Sequence, residues 1–225
     1  MVTQTNVRGP LAPIEMPDGV TVLSVADVAY LLTRHDSPAQ RRSNDMLGFS
    51  ASHASDALIQ AGASSLLARG LGRLNSEGVV TPLAGAAMAE YVTMTAGRWL
   101  NLDAISGTGL ERTVVIVGKD FTGAFQLRAL GTMMTGFAAP STPPEQFVLG
   151  IVRQIIEEHP EASIGIAASD LENVRGSVFV RWSGDDGAWD TVDRTSNAEA
   201  TERTLIDDER LSGLLGTLIA GPDRA

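Results

Sequence analysis

The stretch Arg98–Ala129, RWLNLDAISGTGLERTVVIVGKDFTGAFQLRA, decides how this chain is read. Leu100, Leu102 and Ala104 alternate with polar residues, Val114 to Val117 form a β-branched run, and Phe125, Leu127 and Ala129 alternate again. A period of two marks a strand, and Gly107, Gly109, Gly118 and Gly123 fall in the connections, so three antiparallel strands are expected. Just upstream, Pro82 suits the first turn of a helix that carries Leu83, Ala87, Met88, Tyr91 and Val92 on one face.

The same order recurs further along. Pro143 and Pro144 open a helix bearing Phe147, Val148, Ile151, Val152, Ile155 and Ile156, which stops at His159 and Pro160. Ser163 to Ala168, Val178 to Trp182 and Trp189 to Val192 then read as strands, with Gly184, Asp185, Asp186 and Gly187 in the last hairpin turn. A shift of 64 residues superposes the two segments in pattern: Ala84 on Val148, Leu100 and Leu102 on Ile164 and Ile166, Val114–Ile116 on Val178–Val180, and Phe125 on Trp189. Each helix-plus-three-strand unit, about 82–130 and about 143–193, has apolar faces that it cannot bury alone. The expected fold is α+β, a central mostly antiparallel sheet of about six strands with helices on one face, flanked by N- and C-terminal helices.

Working outward, residues 1–22 hold Gly9, Pro10, Pro13, Pro17 and Gly19 and read as an extended N-terminal arm, leaving 23–221 as a single domain. Ser24 is a good N-cap for a first helix carrying Val25, Val28, Leu31 and Leu32 as far as His35. Asp36 to Ser52 is polar and turn-rich and reads as a long loop bearing Met46, Leu47 and Phe49. A second helix, from near Ser52 to about Leu74, is loosened by Gly62, Gly70 and Gly72. Leu211, Leu214, Leu215, Leu218 and Ile219 mark a last helix that ends at Gly221 and Pro222.

Composition narrows the chemistry. The 225 residues are 44% hydrophobic and 20% charged, a globular balance, and no apolar run is long enough for a membrane span or a signal peptide, so a cytoplasmic protein is expected. The absence of cysteine removes thiolate metal sites and thiol nucleophiles. A net charge of −10 repels phosphate backbones, which disfavours nucleic acid as a partner. Lys119 is the sole lysine among 17 basic residues, a bias read as that of a high-GC genome.

No reaction centre is expected. His35 and His159 each sit where a helix ends before a proline, and His53 has no second histidine at i+3 or i+4 that would join a carboxylate in a metal site. Gly48–Ser52 lacks the closing glycine of a nucleophile elbow, and Asp185 and Asp186 are residues that tight hairpins favour. Trp182 and Trp189 flank that hairpin and are expected to pair across it. Neither metal nor cofactor is expected.

The start LSVADV at Leu23–Val28, LLARGLGRL at Leu66–Leu74 leading through Gly78–Pro82 to an alanine-rich helix, and the sheet that follows resemble the EspG family of ESX (type VII) secretion-associated proteins of actinobacteria. Gly176–Trp182, the hairpin to Val192 and the leucine-rich last helix are similar too, so the resemblance runs from Leu23 to Ile219, with shorter loops and a shorter second helical region here. It implies a cytosolic, non-enzymatic chaperone with a quasi-two-fold sheet that binds the helical tip of a secreted client. For such a client the candidate contacts are Met46, Leu47 and Phe49 as an apolar patch, Arg41 and Arg42 for client carboxylates, and exposed leucines of the last helix. The alternative is a winged-helix DNA-binding regulator, with Arg69 and Arg73 carrying phosphate contacts from the Ala54–Pro82 segment.

Overall fold

The computed structural model describes residues 19–49, 55–107, 109–128, 131–184, 187–195, 199 and 202–221. Most of the N-terminal arm, Ser50–Ser52, His53, Asp185 and Asp186 lie outside them.

The described residues build α1 (Val25–Thr33), α2 (Pro38–Met46), α3 (Asp56–Ala68), α4 (Ala84–Met94), α5 (Pro144–Glu158) and α6 (Asp208–Ala220). The strands are β1 (Val20–Ser24), β2 (Gly72–Leu74), β3 (Val80–Pro82), β4 (Arg98–Ser106), β5 (Gly109–Val117), β6 (Thr122–Arg128), β7 (Thr132–Phe137), β8 (Ser163–Ser169), β9 (Val174–Ser183), β10 (Ala188–Asp193) and β11 (Thr204–Ile206). Nine strands form one antiparallel sheet in the order β1-β7-β6-β5-β4-β8-β9-β10-β11, and β2 and β3 make a separate ribbon. The mixed α+β class and the antiparallel sheet agree with the expectation, whereas six strands was an undercount. The three extra strands are β1, inside the stretch read as arm and helix start, β7, whose run TMMTGF shows no clean alternation, and the three-residue β11.

Both strand triplets belong to the one sheet, and they meet at β4 and β8, where Leu100 pairs with Ala168, Leu102 with Ile166 and Ala104 with Ile164. The helices do not follow the repeat. Along β4, Trp99 packs with α1, α3 and α4 while Leu100 packs with α5 and α6, and along β5 Val114 and Ile116 join the first cluster while Val115 joins the second. Successive strand residues point to opposite faces, so α4 and α5 cover opposite faces of the sheet, and the expectation of helices on one face is corrected. Ala84 opens α4 on the surface with φ +47, whereas Val148 is fully buried in α5.

The single offset of 64 is corrected as well. Val115 pairs with Leu100 and Val180 with Ile164, which makes Val115 and Val180 counterparts 65 residues apart. Ala124 pairs with Val115 and Thr191 with Val180, a spacing of 67. Longer connections and a register irregularity at Ala168/Ser169 absorb the difference. Phe125 and Trp189, which a uniform shift superposes, therefore lie in the two different cores.

Local signals explain the helix ends. Ser24 caps α1 through a capping box: its hydroxyl accepts from the Asp27 amide at 3.0 Å, and its own amide donates to Asp27 Oδ2 at 2.7 Å. The segment read as a long loop from Asp36 is largely the helix α2. α1 ends at Thr33 with Arg34 as its cap, and Pro38 occupies the first turn of α2, which Ser37 caps. α2 and α3 close alike, with Gly48 and Gly70 left-handed at φ +74 and +70. In each case the next amide, Phe49 or Leu71, donates back at 2.8 Å, to the carbonyl of Asn44 or Leu66. So α3 ends at Ala68, and Gly72–Leu74 turns into the ribbon. Gly62 does not loosen α3, because a Cβ there would meet the Ala26 carbonyl oxygen at 2.0 Å and its absence lets α1 and α3 cross closely. Pro82 belongs to β3, and Leu83 is the N-cap of α4.

Candidate functional site

The opposite placement of the helix layers leaves sheet surface uncovered. Residues that pair directly across strands share a face, so one row runs Val20, Gly136, Ala124, Val115, Leu100, Ala168 from the β1 edge to the centre. A second row runs Val22, Met134, Gln126, Thr113, Leu102, Ile166. The Leu100, Leu102, Ile166 and Ala168 ends of these rows are buried under α5 and α6. The other ends floor an open cleft of about 350 Å³, walled on its far side by Phe147, Ile151, Gln154, Ile155 and Glu158 of α5.

The floor is shallow because its central residues are small: a Cβ built on Gly136 meets nothing within 4 Å. Phe147 and Ile151 are only half-buried, and with Met134 and Ala124 they make the apolar part. At the other end Gln126 Nε2 donates to Glu111 Oε2 at 3.2 Å, and Arg128 Nη1 lies 3.6 Å from Glu111 Oε1. Arg128 Nε is buried without a hydrogen-bond partner among the described residues. The arrangement is an apolar groove with a polar, partly unsatisfied end. It suits a segment of polypeptide that brings an apolar edge and a carboxylate.

A second pocket, also about 350 Å³, lies where the end of α5 meets the start of α6, between Ile156, Pro160, Trp182, Trp189 and Asp208. The two indoles do pair across the β9–β10 hairpin, edge to face at 4.9 Å between centroids. Trp189 Nε1 donates to Asp208 Oδ1 at 2.7 Å, and this bond, aided by Arg153, holds the Asp208 carboxyl below the usual carboxylate range. These contacts serve packing.

The sequence-derived contacts lie elsewhere. Met46, Leu47 and Phe49 follow the end of α2 inward and pack against the core over the other face of the sheet. Arg41 is exposed and pairs with Asp36, and Arg42 is half-buried. Leu211 and Leu215 are fully buried and Leu214 packs on the core, so the last helix presents no exposed leucine stripe. His35 Nε2 lies 3.1 Å from Glu90 Oε1, and His159 caps the end of α5. Of the nucleophile-elbow motif, Gly48 follows the end of a helix and Phe49 packs on the core, while Ser50–Ser52 lie outside the described residues. Among the described residues no group of three or more His, Asp or Glu side chains could hold a metal.

The described part of the Ala54–Pro82 segment holds the single helix α3, unbroken at Gly62, and the β2–β3 ribbon, so the two short helices that a helix-turn-helix needs there are not formed. Arg69, one of the cations proposed for phosphate contacts, is already engaged. Arg69 Nη1 lies 2.7 Å from Oδ2 of the fully buried Asp27, and its Nη2 donates to the Val22 carbonyl. α3 itself carries no Lys or Arg. The cleft was invisible in sequence because its floor mixes glycine, alanine, glutamine and methionine with no periodic signal. Only pairing brings them together.

No protein-family model matches the chain, and no curated protein matches it. Among solved structures it is similar to the Mycobacterium tuberculosis type VII secretion system chaperone EspG5, solved in complex with the PE25-PPE41 dimer. The TM-score is 0.56 at 9% identity, over 88% of this chain and 95% of that one. At that identity the likeness establishes a shared fold.

Proposed function

We propose that this chain is a non-enzymatic, cytosolic secretion chaperone that shields the apolar helical tip of a secreted client. The observation that carries the reading is the whole-chain fold likeness to a secretion chaperone solved with a protein dimer. The open half-face between β1, β7, β6, β5 and α5 supports it, since a sheet that leaves an apolar groove uncovered has room for a helix supplied by a partner. The described residues include no helix long and apolar enough to cross a membrane. Arg41, Arg42, Met46, Leu47 and Phe49 remain a proposed secondary contact, at the rim of α2.

The test is purification of the tagged chain from its host at moderate salt, beside the Gly136→Phe variant, which fills the cleft without entering the core. The expected result is a helical-hairpin protein dimer travelling with the native chain and lost from the variant, with the melting temperature kept. Recovery of DNA alone, or equal recovery of the dimer by both proteins, overturns the reading.

A further inference from the structure

The contacts that pack the two indoles of the β9–β10 hairpin also leave an open corner beside them. Trp182 is half-buried and Trp189 buried, with their rings inclined at 66° and their centroids 4.9 Å apart. A T-shaped pair bounds, beside its stem, a corner whose two sides are π faces. Both rings line the pocket of about 350 Å³ between the end of α5 and the start of α6, and Ile156 and Pro160 add apolar wall. That volume lies at the small end of ligand sites, with room for one compact group and not for a helix.

The charge of the lining selects what the corner takes. Arg153 pairs with Asp208 Oδ2 while Trp189 Nε1 donates to Oδ1, so both oxygens of that carboxylate are engaged. Glu157 is exposed and has no hydrogen bond or ion pair among the described residues, which leaves the lining with one net negative charge. α5 ends here with no basic residue in its last turn, so the negative end of its dipole adds to the preference for a cation.

We propose that this pocket binds a quaternary ammonium group. Indole faces attract a cation through the ring quadrupole, and the free Glu157 carboxylate supplies the opposite charge. A guanidinium or a primary ammonium brings several N–H donors, and among the described lining residues Glu157 is the only carboxylate not already engaged. A quaternary ammonium has no N–H to satisfy, and its methyl groups suit a wall of indole, Ile156 and Pro160. The pocket shares no lining residue with the cleft, so the proposal and the chaperone reading stand or fall separately.

Tryptophan fluorescence reads this site, because the third tryptophan, Trp99, is fully buried in the other core. The full chain is titrated with choline, with the neutral isostere of choline in which carbon replaces nitrogen, with N-acetyltrimethyllysine amide and with N-acetylarginine amide, all at one ionic strength set by sodium chloride. The expected result is a saturable change with the two quaternary ammonium compounds, and binding about tenfold weaker for the neutral isostere. Glu157→Gln should weaken choline binding about fivefold, while Glu77→Gln at the exposed ribbon turn leaves it unchanged. Tighter binding of choline names a free small molecule as the source of the group, and tighter binding of the trimethyllysine compound names a methylated side chain of a protein. Absence of a saturable response overturns the proposal. So does equal affinity for choline and its neutral isostere, equal affinity for N-acetylarginine amide, or choline binding that Glu157→Gln leaves intact.

Discussion

Leu102 of β4 and Ile166 of β8 face each other directly in the sheet, and each is the other's counterpart 64 residues along the chain. Every other β4–β8 pair obeys the same symmetry: Leu100 faces Ala168, and their counterparts Ile164 and Ala104 face each other. A local two-fold axis perpendicular to the sheet therefore passes between Leu102 and Ile166. Both side chains are fully buried, so this seam is where one half of the molecule holds the other.

Truncation at the seam tests that role. Leu102→Ala and Ile166→Ala are each expected to cost about 2–5 kcal/mol, and because the pair is in direct contact the double variant should cost less than the sum of the two. Urea unfolding of the four proteins measures both effects. Strict additivity would show that the two residues do not share one packing site.

Gly62→Ala places a methyl group against the Ala26 carbonyl at the α1–α3 crossing. Helix propensity alone favours alanine by about 1 kcal/mol, so a net loss of stability is the signature of the crossing. A gain in melting temperature would show that α1 and α3 have room to separate.

Arg69 separates the chaperone and DNA readings. Asp27 is fully buried, and with Arg69→Ala it keeps a backbone amide of Ser24 but loses the guanidinium paired with it. The expected loss is about 3 kcal/mol. It should appear as a lower urea midpoint in the free protein. A variant of native stability would return Arg69 to the pool of residues available to a phosphate.

Asp170 gives the fold an acid-sensitive corner. The amides of Asn173 and Glu172 donate to its carboxylate in the β8–β9 turn, Arg175 pairs with it, and its pKa falls from 3.8 to about 2. A folded-state pKa below the unfolded value means that the stabilisation is complete above about pH 4 and is lost as the pH falls towards 2. Asp170→Asn should flatten the pH dependence of stability in that window and lower stability at neutral pH. An unchanged acid limb would place the sensitivity elsewhere.

Arg98 ties the start of β4 to the end of α6, donating from Nε to the Ile219 carbonyl at 2.9 Å and from Nη2 to the Ala220 carbonyl at 3.1 Å. Arg98→Ala should free these last carbonyls and cost about 1 kcal/mol, with faster amide exchange confined to the final turns of α6. Protection unchanged in α6 would contradict the tie.

Short-range physics made much of the fold readable in sequence. Ser24 as a cap, the α5 stripe from Phe147 to Ile156, the Trp182–Trp189 pair and both strand triplets follow from period, capping and turn chemistry, which act within a few residues. What sequence left open depends on contacts across the chain. Trp99 and Leu100, or Val114 and Val115, are adjacent and all buried, so alternation cannot say which face meets which helix. That was decided only when α4 and α5 packed on opposite sides. The same packing left Ala124, Gln126, Met134 and Gly136 together and uncovered, because a strand's neighbours are chosen by pairing across the sheet and not by order along the chain.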